Sequence, residues 1–175
     1  DVLNRITLAP NPASVVVGTQ QLFAATGYDI YNNSITNITY DWSTNVGSIN
    51  TGGLFTAQAI PATGWVRAKN GAITGTATVD VVIGAIDHII VTPSTLTLTV
   101  GETQQFSAAA YDALDNLITG VTLFWTTDLG IVNSTGFFTA QTIARTGFVN
   151  ASYGGVTGSA SVEILHGTLH HIYIT

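Results

Sequence analysis

Hydrophobic and polar residues alternate with a period of two along most of the chain, the signature of half-buried strands. Arg5 to Ala9 (RITLA) places Ile6 and Leu8 on one face, until Pro10 and Pro12 interrupt the run. Ser14 to Val17 resumes it with Val15 and Val17 inward, and Gly18 turns the chain. A strand broken by prolines is what an edge strand that switches sheets looks like. Gln21 to Gly27 carries Phe23 and Ala25 on its core face, and Tyr28 to Thr36 is polar and rich in turn residues. A further strand is predicted over Ile38 to Trp42, with Ile38, Tyr40 and Trp42 in phase. Gly64 to Ala68 turns Val66 and Ala68 inward, and Asn70-Gly71 marks a tight hairpin. Thr76 to Ile83 closes the unit, with Ala77, Val79, Val81 and Ile83 facing in. No helical periodicity of useful length occurs.

The whole pattern then recurs about 83 residues on, without a gap, and about 32 of the 83 aligned pairs are identical. DWSTNVGSINTGGLFTAQ (Asp41 to Gln58) returns as FWTTDLGIVNSTGFFTAQ (Phe124 to Gln141). Each copy has a Trp-centred strand followed by a hairpin ending in Phe, so Trp42, Trp125, Phe55 and Phe138 are the expected core anchors. Seven or so short strands per copy, with turn signals every ~8–12 residues, predict an immunoglobulin-like β-sandwich. The chain is therefore expected to be all-β: two tandem sandwich domains, residues 1–85 and 86–168, plus a trailing strand at 169–175. That tail, Leu169 to Thr175, aligns with Ile86 to Thr92, the start of the second copy. Two explanations stay open. It begins a third repeat, or it adds to a sheet edge of another subunit, a heterologous contact that would yield a fibre. The joints at Gly84-Ala85 and Gly167-Thr168 are short and carry apolar neighbours, which predicts limited bending.

Composition sharpens the picture in one respect. Only 8% of the residues are charged, against roughly 25% in ordinary soluble domains. Thr, Ser, Asn and Gly fill the outward positions, so little charge repulsion opposes lateral association with other copies or neighbouring repeats. The net charge of −6 argues against nucleic acid, since the basic set is only Arg5, Arg67, Lys69 and Arg145. There is no cysteine, hence no disulfide framework and no thiolate metal site. No apolar run reaches the ~18 residues of a membrane span. The chain opens at Asp1 without Met or a signal peptide, as a processed product or an excised fragment would.

Candidate chemistry is sparse, and each candidate has a bland alternative. Asp112, Asp115 and Asn116 in the turn YDALDN present Ca²⁺-type ligands, but Asp and Asn are also standard turn formers. His166 with His170 or His171 is a candidate metal pair. Adjacent His170 and His171 point to opposite faces of a strand, however, so both cannot chelate from it. His88 aligns with Arg5 and reads as polar cover near the joint. Asn-x-Ser/Thr occurs at Asn32, Asn37, Asn133 and Asn150. With 11 Asn and about 22% Ser plus Thr, two or three such sites arise by chance. Trp65 and Phe148 are equivalent and out of phase with Val66 and Val149; they are candidate outward aromatics for stacking on a glycan or for packing on a neighbour. Lys69 sits beside the hairpin turn, too exposed for an isopeptide cross-link. No Ser-His-Asp set or paired carboxylates can be assembled, and no cofactor is implied.

Thr92-Pro93, Val100-Gly101, Gln105-Phe106, Ala110-Tyr111-Asp112, Trp125 and Gly136-Phe137-Phe138-Thr139-Ala140, followed by Gly158 and Val162, resemble the bacterial immunoglobulin-like (BIg) domains and their archaeal relatives. The likeness covers both repeats and the trailing strand. It implies a non-enzymatic extracellular module of a prokaryotic cell-surface protein: a surface-layer, stalk or filament segment that pairs with further copies, up to a homopolymer. The alternative it leaves open is an adhesin or a carbohydrate-binding accessory module of a secreted protein.

Overall fold

A computed structural model describes residues 2–168; the trailing strand at 169–175, with His170 and His171, lies outside the described residues. The chain divides into two compact units, Asp1–Gly84 and Ala85–Thr175. The first unit contains β1 (Arg5–Ala9), β2 (Ala13–Val16), β3 (Gln20–Leu22), β4 (Ala24–Tyr28) and β5 (Ser34–Ile35). It continues with β6 (Asp41–Thr44), β7 (Gly47–Ile49), β8 (Leu54–Ala57), β9 (Ala62–Asn70) and β10 (Ile73–Val82). The second unit has β11 (His88–Thr92), β12 (Thr95–Thr99), β13 (Thr103–Gln105), β14 (Ser107–Tyr111) and β15 (Leu117–Ile118). β16 (Phe124–Thr127), β17 (Gly130–Val132), β18 (Phe137–Ala140), β19 (Arg145–Tyr153) and β20 (Val156–Leu165) complete it. Among the described residues there is no helix.

The predicted first strand is two strands in two sheets. β1 pairs antiparallel with β4, and beyond the prolines β2 pairs in parallel with β10. Each unit thus builds a four-stranded sheet, β2-β10-β9-β6 or β12-β20-β19-β16. Facing it are two three-stranded sheets, β1-β4-β5 with β3-β8-β7, or β11-β14-β15 with β13-β18-β17. The fold is an immunoglobulin-like sandwich, with more and shorter strands than the seven expected. The extra strands arise where a single run changes partner, as β3 and β4 do on either side of Phe23.

Ile6, Leu8, Phe23 and Phe55 meet Val66, Ala68, Ala77, Val79 and Val81 to form the first core. Ile89, Val91, Phe106 and Phe138 with Val149, Ala151, Ala160 and Val162 form the second. The same edge-on ring pair lies in the middle of both: Phe23–Phe55 at 5.9 Å and Phe106–Phe138 at 6.0 Å between centroids. Phe55 and Phe138 are fully enclosed.

Trp42 and Trp125 are half-buried, not the enclosed anchors expected of them. β6 and β16 are the edge strands of their sheets, so each indole has a neighbouring strand on one side only. Its other side opens on a groove shared with Phe23, Tyr40 and Thr51 in one unit, and with Phe106, Leu123 and Ser134 in the other. The indole packs on Gly53 or Gly136, both at positive φ (80° and 81°). A Cβ at either glycine would lie 2.9 Å from the indole Cζ2, and nearer still to the carbonyl oxygen of Phe23 or Phe106. The Gly of Gly-x-Phe therefore serves both the turn and the ring above it.

Three smaller readings are also corrected. Ile38 and Tyr40 precede β6 rather than belonging to it. Ile83 lies past the end of β10 and is 38% exposed, because no strand remains there to hold it inward. Asn70 pairs with Ile73, so the hairpin turns on Gly71-Ala72, one residue later than Asn70-Gly71. Gly71 alone has positive φ, the pattern of a type II′ turn, whereas Gly154 and Gly155 both do, that of type I′.

Candidate functional site

The YD loops are the most polar feature of either sandwich. Asp29 is buried and accepts hydrogen bonds from the Tyr31 N–H (2.9 Å), the Asn33 N–H (2.8 Å) and the Asn33 side-chain amide (2.9 Å). The Asn33 amide, then its N–H, holds the Asp29 carboxyl below the usual carboxylate range against a smaller opposing effect of burial. Asp112, only 1% exposed, accepts in the same way from Leu114 N–H (2.9 Å), Asn116 N–H (3.0 Å) and the Asn116 amide (3.1 Å). These carboxylates spend their oxygens on their own loop, which is the chemistry of an Asx turn.

The three metal candidates within the described residues do not converge. Asp112 is enclosed, Asp115 projects into solvent, His166 follows β20 and is exposed, and His170 lies outside the described residues. Among the described residues no three His, Cys, Asp or Glu side chains gather into a group that could hold an ion. Asp115 and its equivalent Asn32 occupy the left-handed region (φ 61° and 72°). Each is gripped from β11 or β1. Arg5 lies 4.1 Å over the Tyr28 ring and donates to Asn32 Oδ1. His88 stacks on Tyr111 (5.4 Å, 13° between planes), with Nε2 3.3 Å from Asp115 Oδ1 and Nδ1 3.2 Å from Asp87 Oδ2. His88 thus covers a tyrosine of its own sheet.

Trp65 and Phe148 lie on the outer faces of the four-stranded sheets. Trp65 is half-buried, with the Arg67 guanidinium 3.9 Å over its ring. Phe148 has no such cover and is 52% exposed. The two backbone N–H groups are fixed alike, by Asn45 Oδ1 (2.8 Å) and Asp128 Oδ1 (2.8 Å). Around Trp65 the outward side chains of β9 and β10 include Thr63, Arg67, Thr76, Thr78 and Asp80, with Thr63 donating to Asp80 (2.8 Å). Lys69 is exposed on the same strand.

The glycosylation candidates differ in surroundings. Asn32 receives the Arg5 guanidinium. Asn133 uses Oδ1 to accept from Thr135 N–H, Thr135 hydroxyl and Phe137 N–H, as Asn50 accepts from Gly52 and Leu54. Asn150 lies within β19, flanked by β16 and β20. Asn37 is exposed at φ 59°, where the second unit has Gly120 at φ 78°. Asn tolerates that backbone conformation, so its presence has a conformational cause.

One surface was missed when the sequence was read for motifs. On the outer face of β11-β14-β15, register places His88, Tyr111 and Leu117 in one row and Ile90 with Ala109 in the next. Ile90 and Leu117 are 48% and 51% exposed. The corresponding face of β1-β4-β5 carries Arg5, Tyr28 and Ser34, then Thr7 with Thr26. The signal was present in the aligned repeats, as three outward polar positions that turn apolar in the second copy.

No family model matches the chain. By sequence, 99% of it is similar to part of Ice-binding protein 1 of Shewanella frigidimarina, 27% identical over 185 residues. The chain spans about a fifth (20%) of that relative's length. Among solved structures it is similar to FdeC, an Escherichia coli adhesin, with TM-score 0.51 and 19% identity. That match covers 96% of this chain and 66% of FdeC. It is also similar to protocadherin gamma C5 EC1–3, with TM-score 0.50 and 12% identity over 92% of this chain and 68% of that one. These likenesses are likenesses of fold: the chain is a tandem of immunoglobulin-like sandwich domains.

Proposed function

We propose that this chain is a non-enzymatic, extracellular structural module of a prokaryotic cell-surface protein, a BIg-type tandem that forms part of a surface layer, stalk or filament. The observation that carries this reading is the pair of complete sandwiches in series whose outward positions are rich in Thr, Ser and Asn, with 8% charged residues overall. Each sandwich has its own core and buries its own polar loop, so each repeat is a folded unit by itself. Its uncharged faces are free to meet other copies of the chain or neighbouring repeats. The partial match to a much longer relative supports a role as one segment among several. Electron microscopy of the native cell surface tests the proposal: it should show the chain within a lattice, stalk or fibre. Dispersed soluble protein would contradict it.

A binding role is the second reading, favoured by Trp65. A half-exposed indole beside Thr63, Thr78 and Asp80 offers a stacking surface with hydroxyl and carboxylate partners, as an adhesin or carbohydrate-binding accessory module requires. A glycan array separates the readings. Binding that Trp65→Ala abolishes would favour this one, and a blank array would leave the structural role.

A further inference from the structure

We infer that the outer face of β11-β14-β15 docks a second copy of this chain, and that the surface it receives is the β1-β4-β5 face of that copy's first repeat. This deepens the structural proposal and rests on its self-association. Two observations carry it.

The first is apolarity. Ile90 and Leu117 stand about half exposed on either side of Ala109 and Tyr111, and Leu114 of the adjoining loop is 44% exposed. The duplicated positions are Thr7, Ser34, Thr26, Tyr28 and Tyr31. Core and backbone are shared between the repeats, so neither folding nor strand pairing requires these outward residues to be aliphatic. An exposed cluster of this kind on an otherwise hydroxyl-rich sheet is the mark of a contact surface.

The second is charge. The rim of the apolar face bears two carboxylates, Asp87 and Asp115, on either side of His88. The matching rim in the first repeat has Asn4 and Asn32 on either side of Arg5, a cation with no carboxylate at the equivalent places. Chain-wide, the first unit holds Arg5, Arg67 and Lys69 against four acids, and the second holds only Arg145 against six. A second-repeat face therefore repels its own kind at the rim and attracts the first-repeat face.

Each copy carries both faces, so the contact either repeats from copy to copy or closes when two copies engage reciprocally. Sedimentation velocity across a concentration series tests this with the intact chain. The unaltered protein should associate into dimers or larger species as concentration rises, and less so at high salt. Ile90→Thr with Leu117→Ser installs the residues that the first repeat carries on the same backbone. This double variant should keep its thermal transition and associate at least ~10-fold more weakly. Its first-repeat face is intact, so it should still bind the unaltered protein while no longer binding itself. Association unchanged in the double variant would overturn the assignment of the face and leave self-assembly standing. A double variant that binds itself as tightly as it binds the unaltered protein would overturn the pairing of unlike faces. An unaltered protein that stays monomeric at every concentration would overturn both.

Discussion

Position 27 is glycine and its equivalent, position 110, is alanine, and the two repeats have rebuilt the surrounding core to suit. A Cβ at Gly27 would lie 2.7 Å from Leu3 Cδ1, closer to Ile38 Cδ1, and 3.2 Å from the Tyr40 hydroxyl. In the second repeat Ala110 is fully buried, and the residues facing it are Val121 and Leu123 instead of Ile38 and Tyr40. A methyl group is added on one strand and volume is removed in the segment that leads into the next. The surfaces obey no such rule: Thr7 became Ile90, and the stacked pair Trp65 and Arg67 became Phe148 and Asn150. The comparison teaches that at this interior site the size changes offset one another, because close-packed interiors register single methyl groups. Outward positions carry no such volume constraint, and are where the two repeats have come to differ in what they can contact.

If the two interiors are the same structure, removing the shared ring should cost the same in both. Phe55→Ala and Phe138→Ala should each destabilise their own repeat by about 3–5 kcal/mol, as urea titration would show. Unequal losses would mean the cores differ beyond their side chains. The half-exposed indoles should come next. Trp42→Ala and Trp125→Ala should cost about 2–3 kcal/mol, below an enclosed ring, and a full core-sized loss would mean that the groove beside them closes in solution.

The size exchange gives a smaller, sharper test. Gly27→Ala should destabilise the first repeat by about 1 kcal/mol, and the further changes Tyr40→Leu and Ile38→Val should recover most of that loss. Failure to recover would show that the concerted change is coincidental.

The smallest expected effect is titration of Asp29. Its folded carboxyl is held below the ordinary range by Asn33, so its contribution is complete above the unfolded pKa and is lost as pH falls through the folded value. The first repeat should therefore weaken on acidification below the ordinary carboxylate range, and Asp29→Asn should flatten that slope in acid melts. An unchanged slope would assign the acid sensitivity to other groups.

Alternation, the 83-residue period and the Gly-x-Phe turn were enough to establish two β-sandwiches and to place Val66, Ala68, Val79 and their equivalents in the cores. Period-two patterning determines which face of a strand is buried, and burial on one face is what the pattern encodes. The prolines even announced the change of sheet between β1 and β2. What the pattern could not convey is which strands lie at a sheet edge. Trp42 and Trp125 are in phase with the core, yet half of each indole stays open because nothing pairs beyond β6 or β16. For the same reason Asp112 and Asp115, three residues apart, could pass for joint ligands until the loop was seen to turn one oxygen set inward and the other carboxylate outward onto His88. The apolar face of β11-β14-β15 comes from residues 88, 90, 109, 111 and 117, which become neighbours only through the pairing of three strands. Alternation records inside and outside for each strand separately; only tertiary pairing decides which outside residues share a surface.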